Sequence, residues 1–357
     1  MAHLFGASAS WAVVALVVIL AFGALVIIHE LGHFLVARGC GMRVERFSVG
    51  FGPVLLRRQR GDTEWAVSAV PFGGYVKIAG MGPGDDVAEG DAGAYANQPA
   101  WRRFLVILAG PGMNYLFAVL LAGAMLATLG LPEGDPAPVV GRVVAGGAAE
   151  RAGLRAGDRV ASVDGRPVDS WAALVAEIVA HPGQPARLAV ERAGSTLEIT
   201  ATPDSEGGTG RLGIEQSRRM VKASAGQAFL AAARLTNARA GEILAGLGQM
   251  VTGRQKAELR GPLGIAQEMA RSARAGAGQF VGIVWFISIA LALFNLLPVP
   301  ALDGGRLVFL VYEIVTRRRV NQRVEGIVHL AGFVALFGLL LAVTIFGDLG
   351  LGRLFRR

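Results

Sequence analysis

His29, Glu30 and His33 are the residues of this chain whose types and spacing can do chemistry. Two histidines four apart lie on one helical face, about one turn from each other. Both imidazoles can reach a single metal ion, and Glu30 stands beside them to take a proton from water. Two nitrogen ligands and a neighbouring carboxylate form the H-E-x-x-H pattern of zinc peptidases. The run from Trp11 to Ile28 before it is almost wholly apolar. Ionisable groups near the end of such a helix are costly and mark function by default. The competing reading is a chance match, with both histidines satisfied as hydrogen-bonding core residues.

Catalytic zinc takes three protein ligands and leaves a position for water. Position 39, where a metzincin carries its third histidine, is glycine. Asp303, in the stretch Asn295-Leu296-Leu297-Pro298-Val299-Pro300-Ala301-Leu302-Asp303-Gly304-Gly305, is the best remaining candidate. It follows another membrane-length apolar run and closes a His, His, Asp site if the two helices pack side by side. Taken alone, Asp303 reads as a turn or capping residue before Gly-Gly. His329, on the last apolar run, is a rival third ligand.

With both motifs in view, HELGH in a first membrane-length helix and NLLPVPALDGG after a late one, the chain resembles the site-2 protease family of intramembrane zinc metalloproteases. Within that family it is most similar to the bacterial regulator-of-sigma-E proteases. The resemblance covers nearly the whole chain. It implies Zn2+ held by His29, His33 and Asp303, with Glu30 as the catalytic base. It implies single-pass transmembrane substrates, either anti-sigma factors or remnant signal peptides, and a place in the bacterial inner membrane. The family carries a G-x-x-x-N element beside the zinc, which Gly110 to Asn114 match. Gly110, Asn114, Asn295, Pro298 and Pro300 are accordingly expected to bind substrate or support the active site.

The elements that must position these residues follow from composition. A mean hydropathy of +0.48 and 53% hydrophobic residues indicate a membrane protein rather than several soluble domains. The formal charge of +8 does not signal nucleic acid, because the basic residues are dispersed and flank apolar spans, as lipid headgroups and topology require. The single cysteine, Cys40, excludes an intramolecular disulfide. The first apolar run has no preceding Lys or Arg and reads as a retained helix. The expected fold is a mainly α polytopic membrane protein with four transmembrane helices, a membrane-surface β region and an inserted α+β PDZ-like domain.

In order, residues 1–37 are the first span. Residues 38–100 form a cytoplasmic β region with short strands Val44 to Val49, Glu64 to Val70 and Gly74 to Ala79. The resemblance implies that this region presents substrate as an added strand. Gly82 to Asn97, acidic and glycine-rich, reads as a mobile loop. Residues 101–131 are the second span. Residues 132–205 alternate strand and helix, and GLRAGD with VDGRPV resembles a single PDZ domain of the bacterial type. That domain either binds an extended peptide or acts as a steric gate. Residues 206–278 are an amphipathic helical region, expected on the membrane surface or against the β region. Residues 279–305 are the third span, ending in the Asp303 motif. A basic loop (306–326) and the fourth span with its tail (327–357) complete the chain.

Arginine-rich stretches at 37–60 and 306–323 are expected in the cytoplasm, and the PDZ-like domain outside. The terminal Arg353, Arg356 and Arg357 run against that rule and are outweighed. Two other functions remain as alternatives. A membrane metal transporter would also use intramembrane His and Asp, but has no use for Glu30. A non-catalytic PDZ scaffold would lack one of the four catalytic residues, and all four are present.

Overall fold

The computed structural model describes residues 10–82, 85, 88, 90–254 and 261–349. Arg260, the terminal arginines and positions 83, 84, 86, 87 and 89 of the acidic stretch lie outside the described residues. The chain divides into two compact units, residues 1–124 with 229–357, and residues 125–228.

Helix α1 (Trp11–Gly39) starts at Ser10, whose hydroxyl accepts the Val13 N–H. A two-stranded sheet follows, β1 (Val44–Arg60) and β2 (Thr63–Ile78). These strands are longer than expected, yet the three predicted stretches are recognisable within them. Arg46–Val49 pair on one side with Gly74–Lys77 and on the other with Glu64–Val67. Gly50 and Gly73 make this folding-back possible. Their φ angles are +88° and +97°, a region open mainly to glycine. The sheet packs on α1 through Phe34, Phe47 and Trp65, whose rings lie 5.1 to 5.4 Å apart. The outer half of β1 leaves Leu55 and Leu56 exposed. The end of the acidic stretch is hydrogen-bonded to residues that flank the sheet. Arg43 N–H donates to Gly93 and Tyr95 N–H to Ala79, each at 2.8 Å.

Helix α2 (Ala100–Leu129) crosses α1 at close range. A Cβ at Gly32 would stand 2.2 Å from the Ala109 carbonyl oxygen, so the two backbones touch.

The second unit holds, in order, β3 (Leu131–Gly134), β4 (Val140–Val143), α3 (Ala148–Arg151), β5 (Arg159–Val163), β6 (Arg166–Pro167), α4 (Trp171–Val179), β7 (Ala186–Arg192), β8 (Ser195–Ala201), β9 (Asp204–Glu206), β10 (Thr209–Arg211), β11 (Ile214–Gln216) and β12 (Arg218–Val221). An antiparallel sheet of order β6-β5-β7-β8 packs Val160, Leu188 and Val190 against Leu174 and Ile178 of α4. The expected boundary at 205 is too early. β11 pairs back with β4, and β12 with β3. Residues 209–221 are thus largely strand rather than part of a helical region, because Gly210 and Gly213 interrupt any helical period. Asp158, buried in this unit, accepts from the Arg192 guanidinium at 2.8 Å and from Arg155 N–H at 2.7 Å. The Arg192 hydrogen bond, ahead of the backbone one, holds its carboxyl below the usual range.

The chain then forms α5 (Ala225–Val251), α6 (Pro262–Ala275), α7 (Ala277–Leu296), α8 (Asp303–Thr316) and α9 (Gln322–Ala342). α5 packs on α2 and α7 rather than on the β region. The Trp285 indole donates to the Thr236 hydroxyl at 3.1 Å, and Ala240 meets Ala118 and Ile289. Small residues on α5 let it approach the apolar helices. α6 buries Met269 and Ala273 against Val14, Val18 and Leu25 of α1. Among the described residues, four helical runs are long and apolar enough to cross a membrane: Trp11–Gly39, Ala100–Leu129, Ala277–Leu296 and Arg323–Asp348.

The third of these ends at the prolines, short of residue 305 where the assigned span closes. α7 stops at Leu296, since a residue before proline leaves the helical region. Asp303 opens α8 instead of closing the span, and most of the expected basic loop is helix. A Cβ at Gly304 would lie 2.0 Å from the Leu297 carbonyl oxygen, so α8 folds back tightly on the end of α7. The Arg103 guanidinium donates to Glu313, linking α2 to α8.

Candidate metal centre

His29 and His33 are buried on the face of α1 that meets α2, and the α7–α8 turn brings Asp303 to them. His29 Nε2 and His33 Nε2 are 3.2 Å apart. Asp303 Oδ2 lies 3.0 Å from the first and 3.5 Å from the second. Tetrahedral zinc with ligands at about 2.0–2.2 Å sets its donors about 3.3–3.6 Å apart, so a small spreading of this triangle would admit the ion.

The partners of the outer ring atoms assign the tautomers. His33 Nδ1 lies 2.7 Å from the Val106 carbonyl oxygen and must donate to it. His29 Nδ1 lies 3.4 Å from the Asn114 amide. Turning that amide over places its oxygen on the Nδ1–H. This also satisfies Asn114 Oδ1, which is otherwise buried without a partner. Each Nε2 then presents a lone pair, and Asp303 Oδ2, itself buried and without a hydrogen bond, presents a third. Three lone pairs converge with no proton between them, an arrangement that a cation relieves. The residues therefore fit a bound zinc ion.

Glu30 is not one of these donors. Its Oε2 accepts the Val76 N–H at 3.1 Å, so β2 fixes the carboxylate beside the histidines. Gly110 supplies the room. A Cβ there would fall 2.3 Å from His33 Nε2 and 2.8 Å from His29 Nε2.

Residues 17–339 match peptidase family M50. The chain belongs to that family. It is 32% identical to the zinc metalloprotease RasP of Geobacillus kaustophilus, over 91% of this chain and 95% of that protein. It is 30% identical to the regulator of sigma-E protease RseP of Salmonella typhimurium, over 92% of this chain and 97% of that protein. As a member of family M50 the chain is a hydrolase of peptide bonds.

The remaining expected residues divide. Pro298 and Pro300 shape the turn that carries Asp303. Asn295, half-buried in the last turn of α7, makes no hydrogen bond to the cluster among the described residues. His329 is engaged elsewhere, because its Nδ1 accepts the Ala301 N–H at 3.0 Å. Two contributors escaped the sequence reading. The Val106 contribution is a backbone carbonyl, which residue type does not reveal. Ser288 donates to the Asn114 carbonyl at 2.8 Å. A lone hydroxyl in the apolar α7 was a usable signal for it.

Gly110→Ala in this peptidase removes no polar group but pushes a methyl group into the donor triangle. It is expected to weaken zinc affinity about 10–100-fold, the range seen when the support of a metal ligand is disturbed. Zinc content after dialysis against graded chelator checks this, and retention equal to the parent chain contradicts it.

Proposed function

We propose that the chain is an intramembrane zinc endopeptidase in which His29, His33 and Asp303 hold the metal and Glu30 is the general base. Its class, zinc metalloprotease, follows from family M50 and from the naming of its relatives. The roles of the residues are our reading. The observation that carries it is the convergence of His29 Nε2, His33 Nε2 and Asp303 Oδ2 beside a carboxylate that is not among them.

Zinc, when bound, supplies Lewis acidity toward the scissile carbonyl and makes water more acidic. Glu30 takes the proton of the attacking water and delivers it to the departing amine. The Val76 N–H keeps the carboxylate aimed during both transfers. Val106 and Asn114 hold the imidazoles in the tautomer that leaves Nε2 free. Gly74–Lys77 form an outer strand next to Glu30, which suits the binding of substrate as an added strand.

Substrates on this reading are single-pass transmembrane segments, from anti-sigma factors or remnant signal peptides, cleaved within the bilayer of the inner membrane. A transmembrane helix has its backbone bonds satisfied and must unwind first, so helix-breaking residues favour cleavage. The test is cleavage of a single-pass substrate by the purified chain in proteoliposomes. Chelation should stop it, and added zinc should restore it. Cleavage indifferent to chelator, or confined to sites outside the membrane segment, would overturn the proposal.

The second unit we read as a single PDZ-like domain that limits access by size. A groove between α4 and the β10–β11 region, lined by Leu174, Ile178, Leu212 and Ile214, supports the PDZ-like part of this reading. β3 and β12 close the unit at its base, where the Asp135 N–H donates to Ser217 at 2.7 Å. Replacing residues 136–216 by a short Gly-Ser linker should leave zinc content unchanged and speed cleavage of substrates with large outer portions. Loss of cleavage of a pre-trimmed substrate by that folded variant would make the domain a recruiter instead.

The arginines at 38–60 and 306–323 support our reading that Cys40 and the metal centre face the cytoplasm and that the PDZ-like domain lies outside. In a chain without Cys40, Ser195→Cys at the exposed β7–β8 turn should react with an impermeant thiol reagent in intact spheroplasts. Reaction only after permeabilisation reverses the assignment.

A further inference from the structure

His329 of α9 is not part of the donor triangle, yet it grips the turn that delivers Asp303. Its Nδ1 accepts the Ala301 N–H at 3.0 Å. Ala301 lies two residues before Asp303 and has a φ of +81°. A residue with a Cβ keeps that left-handed conformation only when its surroundings impose it. Within the turn, Val299, Leu302 and Gly305 donate to Leu297, Val299 and Leu302 respectively. Pro298 and Pro300 have no N–H. Ala301 is thus the turn residue whose N–H finds its acceptor on another helix.

A second contact lies on the same face of α9. Gly332 follows His329 by three residues, so both point the same way. A Cβ at Gly332 would stand 2.3 Å from Pro300 Cβ and 2.7 Å from its carbonyl oxygen. α9 therefore holds Pro300 by close backbone approach and Ala301 by a hydrogen bond. Phe309 of α8 packs beside the imidazole, with ring centroids 5.8 Å apart.

We propose that His329 is a positioning residue, fixing Ala301 in its left-handed conformation and so aiming the Asp303 carboxylate at the imidazoles of His29 and His33. The inference rests on the reading of Asp303 as a metal ligand. It gives the fourth apolar helix a part in building a site to which it contributes no ligand.

The test is zinc affinity of the full chain in detergent, measured by chelator competition. His329→Asn places an amide oxygen near the position of Nδ1. His329→Gln carries its amide to the position of Nε2, and His329→Leu has no acceptor. The Leu and Gln variants should bind zinc about 10–100-fold more weakly, as loss of a ligand's supporting partner does. The Asn variant should recover most of the affinity. Parent-like affinity in the Leu variant overturns the inference, and so does an Asn variant as weak as Gln. If the Leu variant fails to fold, the comparison of Asn with Gln decides. Asp303→Ala in the same assay separates the two levels. Undiminished affinity there defeats the ligand reading, whereas weakened affinity with unaffected His329 variants defeats the positioning role alone.

Discussion

Glu30→Gln is expected to abolish cleavage while leaving zinc bound at full stoichiometry. The carboxylate is not among the three converging donors, so its replacement removes no ligand. Its Oε2 accepts the Val76 N–H. The glutamine amide oxygen can accept the same hydrogen bond, so the side chain keeps its place. What changes is basicity, because an amide cannot take a proton from water at neutral pH. Loss of a positioned general base costs about 10²–10⁴-fold in rate. Parallel measurement of zinc content and of turnover of a single-pass substrate checks this. A variant that loses zinc in step with activity would make Glu30 a ligand rather than a base.

Asp303→Ala is expected to lower both quantities together. It removes the single oxygen donor and leaves two imidazoles from one helix. Zinc sites with catalytic function use three protein ligands. The affinity loss should therefore exceed the ~100-fold upper range for an outer-shell partner. The substitution also empties the position that faces His29 Nε2 at 3.0 Å and His33 Nε2 at 3.5 Å. Nothing else among the described residues is placed to fill it. His329, the rival of the sequence reading, is tied to Ala301. An Asp303→Ala chain that retains zinc through chelator dialysis would remove Asp303 from the ligand set.

How far the sequence revealed this arrangement depended on which physical signal each part carries. His29 and His33 share a helix, so their juxtaposition follows from helical period alone. The four apolar runs announce themselves by length. Asp303 is distant in sequence, and the residues alone left it as a candidate beside His329; only packing brings it to the imidazoles. Pro298 and Pro300 mark where a helix stops, but not where the next begins. α8 accordingly passed for a loop. The strands beyond residue 205 were missed because they are three or four residues long and pair with strands from the beginning of the same unit. Local pattern does not encode such pairings. α5 was legible as a helix, but its location was not. Its buried face is built of Ala232, Thr236 and Ala240, small residues that suit contact with another helix as well as exposure.

The distance along the chain between the donors also bears on how this molecule is made. His29 and His33 enter the bilayer with the first helix, whereas Asp303 is synthesised 270 residues after His33 (303 − 33). Until then a nascent chain carries two imidazoles and Glu30 but no third donor. α9, whose His329 and Gly332 hold the turn at Pro300 and Ala301, emerges later still. On the proposed ligand reading, the metal site is therefore complete only once the turn after the third apolar run has been made. On that reading a chain stalled after its second span has the H-E-x-x-H helix without the full ligand set, and should bind zinc no better than an Asp303→Ala chain.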